Sequence, residues 1–350
     1  MNQYLSDKIR VLSLLSIVLV VYIHTYYTEG EAMPTLSWLE RLIGGGICRM
    51  AVPMFYVISG YLFFLKCDDG VKSTLPKMRK RVRTLLVPYL LANILTFAFY
   101  VAVNVVADHV PAIGSVLNFR VLAWLDEGTL TLVKNVFWGP IAFQLWFVRD
   151  LMIVVLLSPL VYLWLRMSCK EPAGLALFVV MEVLFYLLWE VNGCFTALFW
   201  FSIGGLFAMN PSYSVIDIDS KSGVVAFIVY IVLCVIHAFA LLPEWGVTLI
   251  AVFGVYGAWC IYDKLLNIKV LPLPPIRILP ICRYTFFIYL VHEPLLNIFK
   301  KLPLLVSRSE LTITICYLVI PPIFCAFAIV LGRVLEKLLP RAYKVYTGGR

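Results

Sequence analysis

Ten apolar stretches recur along the chain between residues 10 and 335, and they decide most of what it can become. A helix needs about 20 apolar residues to cross the roughly 30 Å hydrocarbon layer. On that measure spans are expected near 10–28, 44–65, 84–106, 141–165, 173–191, 194–209, 223–242, 245–262, 279–299 and 311–335. Backbone N–H and C=O groups in lipid must be satisfied within the segment, so such stretches form helices. Composition agrees: 62% of the 350 residues are hydrophobic and 14% charged, against about 45–50% and 25% in soluble domains. The expected class is an all-α polytopic membrane protein, a bundle of about ten transmembrane helices forming one domain over residues 1–350. The first apolar run exceeds a signal-peptide core and has no small-residue cleavage site after it, so it reads as a span.

Lys and Arg in the connections orient the bundle. With the N-terminus inside, twenty fall on the inner side and six on the outer, which puts both termini in the cytoplasm. The richest inner connection is a basic loop at 66–83, with Lys77, Arg79, Lys80, Arg81 and Arg83 in its second half. The longest outer connection, 107–140, has room for an interfacial or re-entrant helix. The net charge of +9 fits loop bias and anionic membrane lipids rather than nucleic acid. Nine scattered cysteines show no CxxC or Cys/His ligand spacing, so no metal site is expected.

Ionisable residues inside spans cost at least about 2.5–3.5 kcal/mol on insertion scales, so each needs a partner or a task. They are His24, Arg149 with Asp150, Glu182, His237, and His292 with Glu293. Counted at 1.5 Å per residue, His24 lies roughly 21 Å from the inner face, His292 roughly 20 Å, and Arg149 about 12 Å below the outer face. Three distant segments thus bring ionisable groups to one level. Singly, each has a plainer reading. His24 and His237 serve as hydrogen-bonded structural imidazoles, Glu182 as an acceptor for a neighbouring helix, and Arg149–Asp150 as a positioning ion pair.

Five stretches in order resemble the acyltransferase-3 family of membrane acyltransferases. They are LVVYIHTYY around His24, VPMFYVISGYLFF at 52–64, RKRVRTLLVPYLL at 79–91, LWFVRDLMIVVLLSPLVY at 145–162 and FFIYLVHEPLL at 286–296. The resemblance implies a bundle of roughly ten helices in the bacterial cytoplasmic (inner) membrane. It implies acetyl-CoA or another acyl-CoA as cytoplasmic donor, and a hydroxyl of a glycan or lipid-linked sugar as acceptor. His24 is then the general base or an acyl relay, Glu293 or Asp150 orients a histidine, and Arg149 stabilises the oxyanion or grips the acceptor, with His292 in the same cluster. Arg10, Lys77, Arg79, Lys80, Arg81 and Arg83 hold the CoA phosphates, and Ser59, Gly60 and Tyr61 line the channel. Gly60 has an alternative task in close helix packing. One position departs from the family pattern: the Arg usually found eleven residues before the first-span His is Ser13 here, and Arg10 is the candidate replacement.

Two other functions compete. A proton-coupled transporter or exporter of a small polar solute would use the buried His, Glu and Arg as a relay, but no inverted repeat or paired broken helices accompany them. A membrane scaffold or sensor would use the basic loop as a docking surface and leave the buried groups idle.

Overall fold

The computed structural model describes residues 3–28, 33–67, 70–109, 128, 131, 134, 136–169, 172–188, 192–210, 220–267 and 280–349. Among these the chain is helical and contains no strand. In chain order the main helices are α1 (Gln3–His24), α2 (Pro34–Ile43), α3 (Ala51–Phe64), α4 (Thr74–His109), α5 (Trp146–Leu156), α6 (Ser158–Ser168), α7 (Pro172–Leu188), α8 (Gly193–Met209), α9 (Ser220–Ala238), α10 (Glu244–Asn267), α11 (Thr285–Lys301), α12 (Glu310–Leu338) and α13 (Pro340–Tyr346).

Among the described residues, five helical segments are long and apolar enough to cross a membrane: Pro34–Phe64, Val71–Val106, Lys221–Ala238, Glu244–Leu265 and Glu310–Leu338. The run expected at 141–165 is broken into α5 and α6, bent by 66°, and makes a sixth if the pair is one span. The break has a local cause. Pro159, at the start of α6, has no N–H to return to Val155 and its ring opposes that carbonyl. Helices α7 and α8 are apolar but only 17 residues each. The chain is a multi-pass membrane protein. The basic stretch expected as a loop over 66–83 is largely helical: from Thr74 onward it forms the first turns of α4. Most of the expected outer connection at 107–140 lies outside the described residues.

The chain divides into two compact units, one of residues 1–23, 37–82 and 150–285, the other of 24–36, 83–149 and 286–350. In the first unit α3 packs on α8 and α9 on α10. The α3–α8 crossing depends on two glycines facing each other's backbone. A Cβ on Gly60 would sit 1.9 Å from the Phe201 carbonyl oxygen, and one on Gly204 would sit 2.0 Å from that of Val57. Phe63, Phe64 and Phe201 fill the space beside the crossing with ring centroids 5.1–5.9 Å apart. Glycine therefore serves close helix approach at position 60, the packing alternative raised by the sequence. Gly60→Ala is expected to destabilise the protein by roughly 1–3 kcal/mol through overpacking, measured as a lowered unfolding temperature in detergent. An unchanged midpoint would refute the close contact.

Elsewhere in this unit Glu182 of α7 accepts a hydrogen bond from Ser202 of α8, the helix-bridging task its sequence position suggested. Arg41 Nε donates to the Ala238 carbonyl at 3.0 Å, covering the end of α9. In the second unit Asn93 Oδ1 accepts from the Ala142 N–H at 3.3 Å and Tyr89 donates to the Phe137 carbonyl at 3.2 Å, tying α4 to the approach to α5. Glu310, in the first turn of α12, accepts from the Thr35 N–H at 2.7 Å and the Leu36 N–H at 3.3 Å. A carboxylate there satisfies the orphan donors at the start of α2.

Candidate active site

Two imidazoles meet in the second unit. His24 is the last residue of α1 and His292 is in the middle of α11; their ring centroids are 5.1 Å apart. His292 is fully buried, whereas His24 is half-buried and packs edge-on against Phe143 at 5.0 Å. His292 Nδ1 lies 2.8 Å from the Tyr289 carbonyl oxygen. A carbonyl only accepts, so Nδ1 carries the proton and Nε2 keeps its lone pair. That Nε2 is buried and has no hydrogen-bond partner.

The break in α11 builds the surroundings. Glu293 has non-helical angles (φ −108°, ψ 129°), and Pro294 has no N–H to offer the Leu290 carbonyl. The main chain thus turns polar groups outward, and side chains answer them. Gln144 Nε2 donates to the Glu293 carbonyl at 3.0 Å, and Tyr289 returns a hydroxyl to the Gln144 carbonyl at 2.8 Å. The Glu293 carboxylate, 2% exposed, accepts from Asn297 Nδ2 at 2.5 Å. At the end of α1, Lys300 Nζ donates to the His24 carbonyl at 2.9 Å, so the C-terminus carrying His24 is capped by a cation from α11. Gln144 also has a buried Oε1 without a partner. Buried polar atoms left this way in an otherwise satisfied cluster mark where a reacting group would find its hydrogen bonds.

The remaining sequence candidates are distributed as follows. Arg149 donates through Nη1 to the Trp138 carbonyl and stacks over the Trp138 ring at 5.3 Å. Asp150, fully buried, faces the start of α8: Cys194 Sγ is 3.5 Å from Oδ1, and a Cβ on Gly193 would be 2.9 Å from Oδ2. The task of orienting a histidine, given to Glu293 or Asp150 in the sequence, is performed for His292 by the Tyr289 main chain. Arg10 is exposed and 3.7 Å from Asp7, a surface pair of small energetic worth. The buried cation of α1 is instead Lys8, paired with Asp263 at 2.6 Å and 4.2 Å above the Trp259 ring.

Of the basic residues, Lys77 is committed to structure. Its Nζ donates to the carbonyls of Phe63 (3.0 Å) and Leu65 (2.6 Å), closing the end of α3. Arg79, Lys80 and Arg83 are exposed on the first turns of α4, with Arg81 half-buried between them. Tyr61 lines a cavity of about 240 Å³ with Ile58, Trp200 and Trp259, and Ser59 is half-buried beside it in α3. Sequence reasoning missed Gln144, Tyr289, Asn297 and Lys300. Three of them are uncharged, and Lys300 counted only as an outer-loop charge; the break that gathers them was visible in Pro294.

No solved structure matches the chain. Among curated proteins it is 26% identical over 373 residues to the succinoglycan biosynthesis protein ExoH of Rhizobium meliloti (strain 1021), the match covering 100% of this chain and 94% of that protein. The family model described as an acyltransferase domain matches residues 7–332, a stretch that contains both imidazoles, the break in α11 and the basic start of α4. The chain belongs to the acyltransferase-3 family of membrane acyltransferases.

Proposed function

We propose that the protein is an O-acyltransferase that moves an acyl group, with acetyl the simplest case, from cytoplasmic acyl-CoA to a hydroxyl of a surface glycan or lipid-linked sugar. The observation that carries this reading is the His24–His292 pair, its His292 imidazole buried and held as the Nδ1–H tautomer, within a chain matched by the acyltransferase family. The similarity to a protein of succinoglycan biosynthesis supports a glycan acceptor. The chain crosses the bacterial inner membrane about ten times, its two broken or short helical pairs included, with both termini in the cytoplasm.

The chemistry follows from the tautomer. The acceptor hydroxyl gives its proton to His292 Nε2 as its oxygen attacks the thioester carbonyl carbon. The tetrahedral oxyanion is met by donors; Arg149 is the candidate for that task, as it is for gripping the acceptor. The carbon–sulfur bond then breaks and the CoA thiolate recovers the proton from the imidazole. His24 presses on the reacting ring and shares the proton transfer, and the dry surroundings keep water from the thioester. Arg79, Lys80, Arg81 and Arg83 receive the CoA phosphates at the inner face, where guanidinium forks match phosphate oxygens.

The test is thioester consumption by the purified full-length protein in nanodiscs, with acetyl-CoA and a longer acyl-CoA, with and without a crude glycan acceptor. Acceptor-dependent release of CoA thiol is expected. If neither thioester binds or turns over, the reading fails and a transport function becomes the better account of the buried imidazoles.

A further inference from the structure

The second unit contains a cavity of about 810 Å³ that the acyl-transfer reading does not use. Its walls come from α4 (Leu91, Leu95), α11 (Leu290, Val291) and α12 (Leu331, Leu335). Glu293 and Pro294, at the break in α11, line it as well. Helix α13 closes it: Tyr343 packs tilted and Tyr346 edge-on against Phe287, with ring centroids 5.4 and 6.2 Å apart. The tail beyond α13 is seated on α4, with Gly348 in the left-handed region (φ +66°) so close to the Thr84 carbonyl that a Cβ would lie 2.3 Å from it.

The lining is almost entirely hydrocarbon. A pantetheine arm or a sugar placed there would leave amides or hydroxyls without partners, at a cost no apolar wall can offset. An alkyl chain has no such groups. Three lining residues, Leu95, Leu339 and Val345, are more than half exposed (55%, 57% and 52%), so the cavity opens sideways onto the apolar surface a bilayer would cover. Arg341 of α13 lines it too, in a segment whose residues 333–344 hold four basic side chains (Arg333, Lys337, Arg341, Lys344) and one acidic (Glu336). Basic segments at the cytoplasmic surface attract anionic headgroups.

We propose that this cavity binds one acyl chain of an anionic phospholipid from the cytoplasmic leaflet, with the lipid phosphate held at Arg341 and the chain running toward Glu293 and Pro294. The inference rests on the cytoplasmic placement of the C-terminus in the preceding reading. It adds a lipid site whose inner end touches the segment carrying His292, so leaflet composition acts on the catalytic helix.

The experiment is native mass spectrometry of the full chain released from nanodiscs of phosphatidylglycerol or phosphatidylcholine. One phosphatidylglycerol retained per protein is expected, with phosphatidylcholine retained far less. Arg341→Gln should weaken retention about five-fold, the worth of one basic residue near a charged surface. Ala342→Trp, which fills the cavity from α13, should abolish it. Equal retention of both lipids, or retention unchanged in both variants, overturns the proposal, as does displacement of the lipid by excess CoA. Acyl-CoA turnover is measured in the same nanodiscs. Turnover without selective lipid retention rejects the lipid site alone, and selective retention without turnover rejects the acyltransferase reading alone.

Discussion

Alanine at position 292 lowers acyl transfer by about 10²–10⁴-fold, the range contributed by a positioned general base. The expectation comes from the bond between His292 Nδ1 and the Tyr289 carbonyl, which leaves a basic Nε2 buried and unpartnered. His24→Ala should fall in the same range, because its ring packs 5.1 Å from that of His292. The double variant should be no more than about ten-fold slower than the worse single one, since residues acting as a unit do not add. Single-turnover release of CoA thiol reads the effect, and the unfolding midpoint of each variant separates lost chemistry from lost fold. Transfer at the wild-type rate in folded His292→Ala would remove this imidazole from the mechanism.

The second large effect concerns stability. Lys8 is 1% exposed and bonds to Asp263 at 2.6 Å, with Trp259 beneath it and Tyr4 sharing the same carboxylate. Removing the partly exposed Asp263 strands the buried Lys8 ammonium, and Asp263→Ala should destabilise the protein by up to about 3–5 kcal/mol. Replacing both residues with apolar ones removes the stranded charge, so Lys8→Met combined with Asp263→Ala should recover most of the loss. Unfolding midpoints in detergent measure both. If the double variant is as unstable as the single, the ion pair is not what holds α1 to α10.

These two pairs show how far the sequence could be read. The imidazoles were legible because a titratable group inside an apolar run is costly, and counting residues from the inner face set His24 and His292 at one depth. Lys8 was not, because it stands at the edge of the first run, where a cation reads as an orientation signal; its partner lies 255 residues away. Arg10 drew attention as the nearest replacement for the Arg that Ser13 displaces, yet it lies on the exposed face of α1. The helical, apolar character of the chain followed from hydropathy, whereas five or six of the described helical segments, not ten, are long and apolar enough to span, and the 66° bend between α5 and α6 depended on one proline in an otherwise unbroken apolar run. Lys77 was placed among phosphate ligands by its neighbours, and only the fold reveals the α3 carbonyls it caps.

The interruption of α11 has a consequence for how such a chain gets into a membrane at all. Many histidine bases are oriented by a carboxylate, which here would add another ionisable group to a segment that must partition into lipid. His292 is oriented by the Tyr289 carbonyl, and Gln144 reads the neighbouring Glu293 carbonyl; both are neutral dipoles supplied by the main chain. A charged residue at mid-span adds about 2.5–3.5 kcal/mol to insertion, and a carbonyl already present in the backbone adds no charge. The break at Glu293 and Pro294 thus accompanies an imidazole oriented by a main-chain dipole, with no further carboxylate spent on it. Biogenesis and chemistry make opposite demands on this segment, and a break in the backbone meets both.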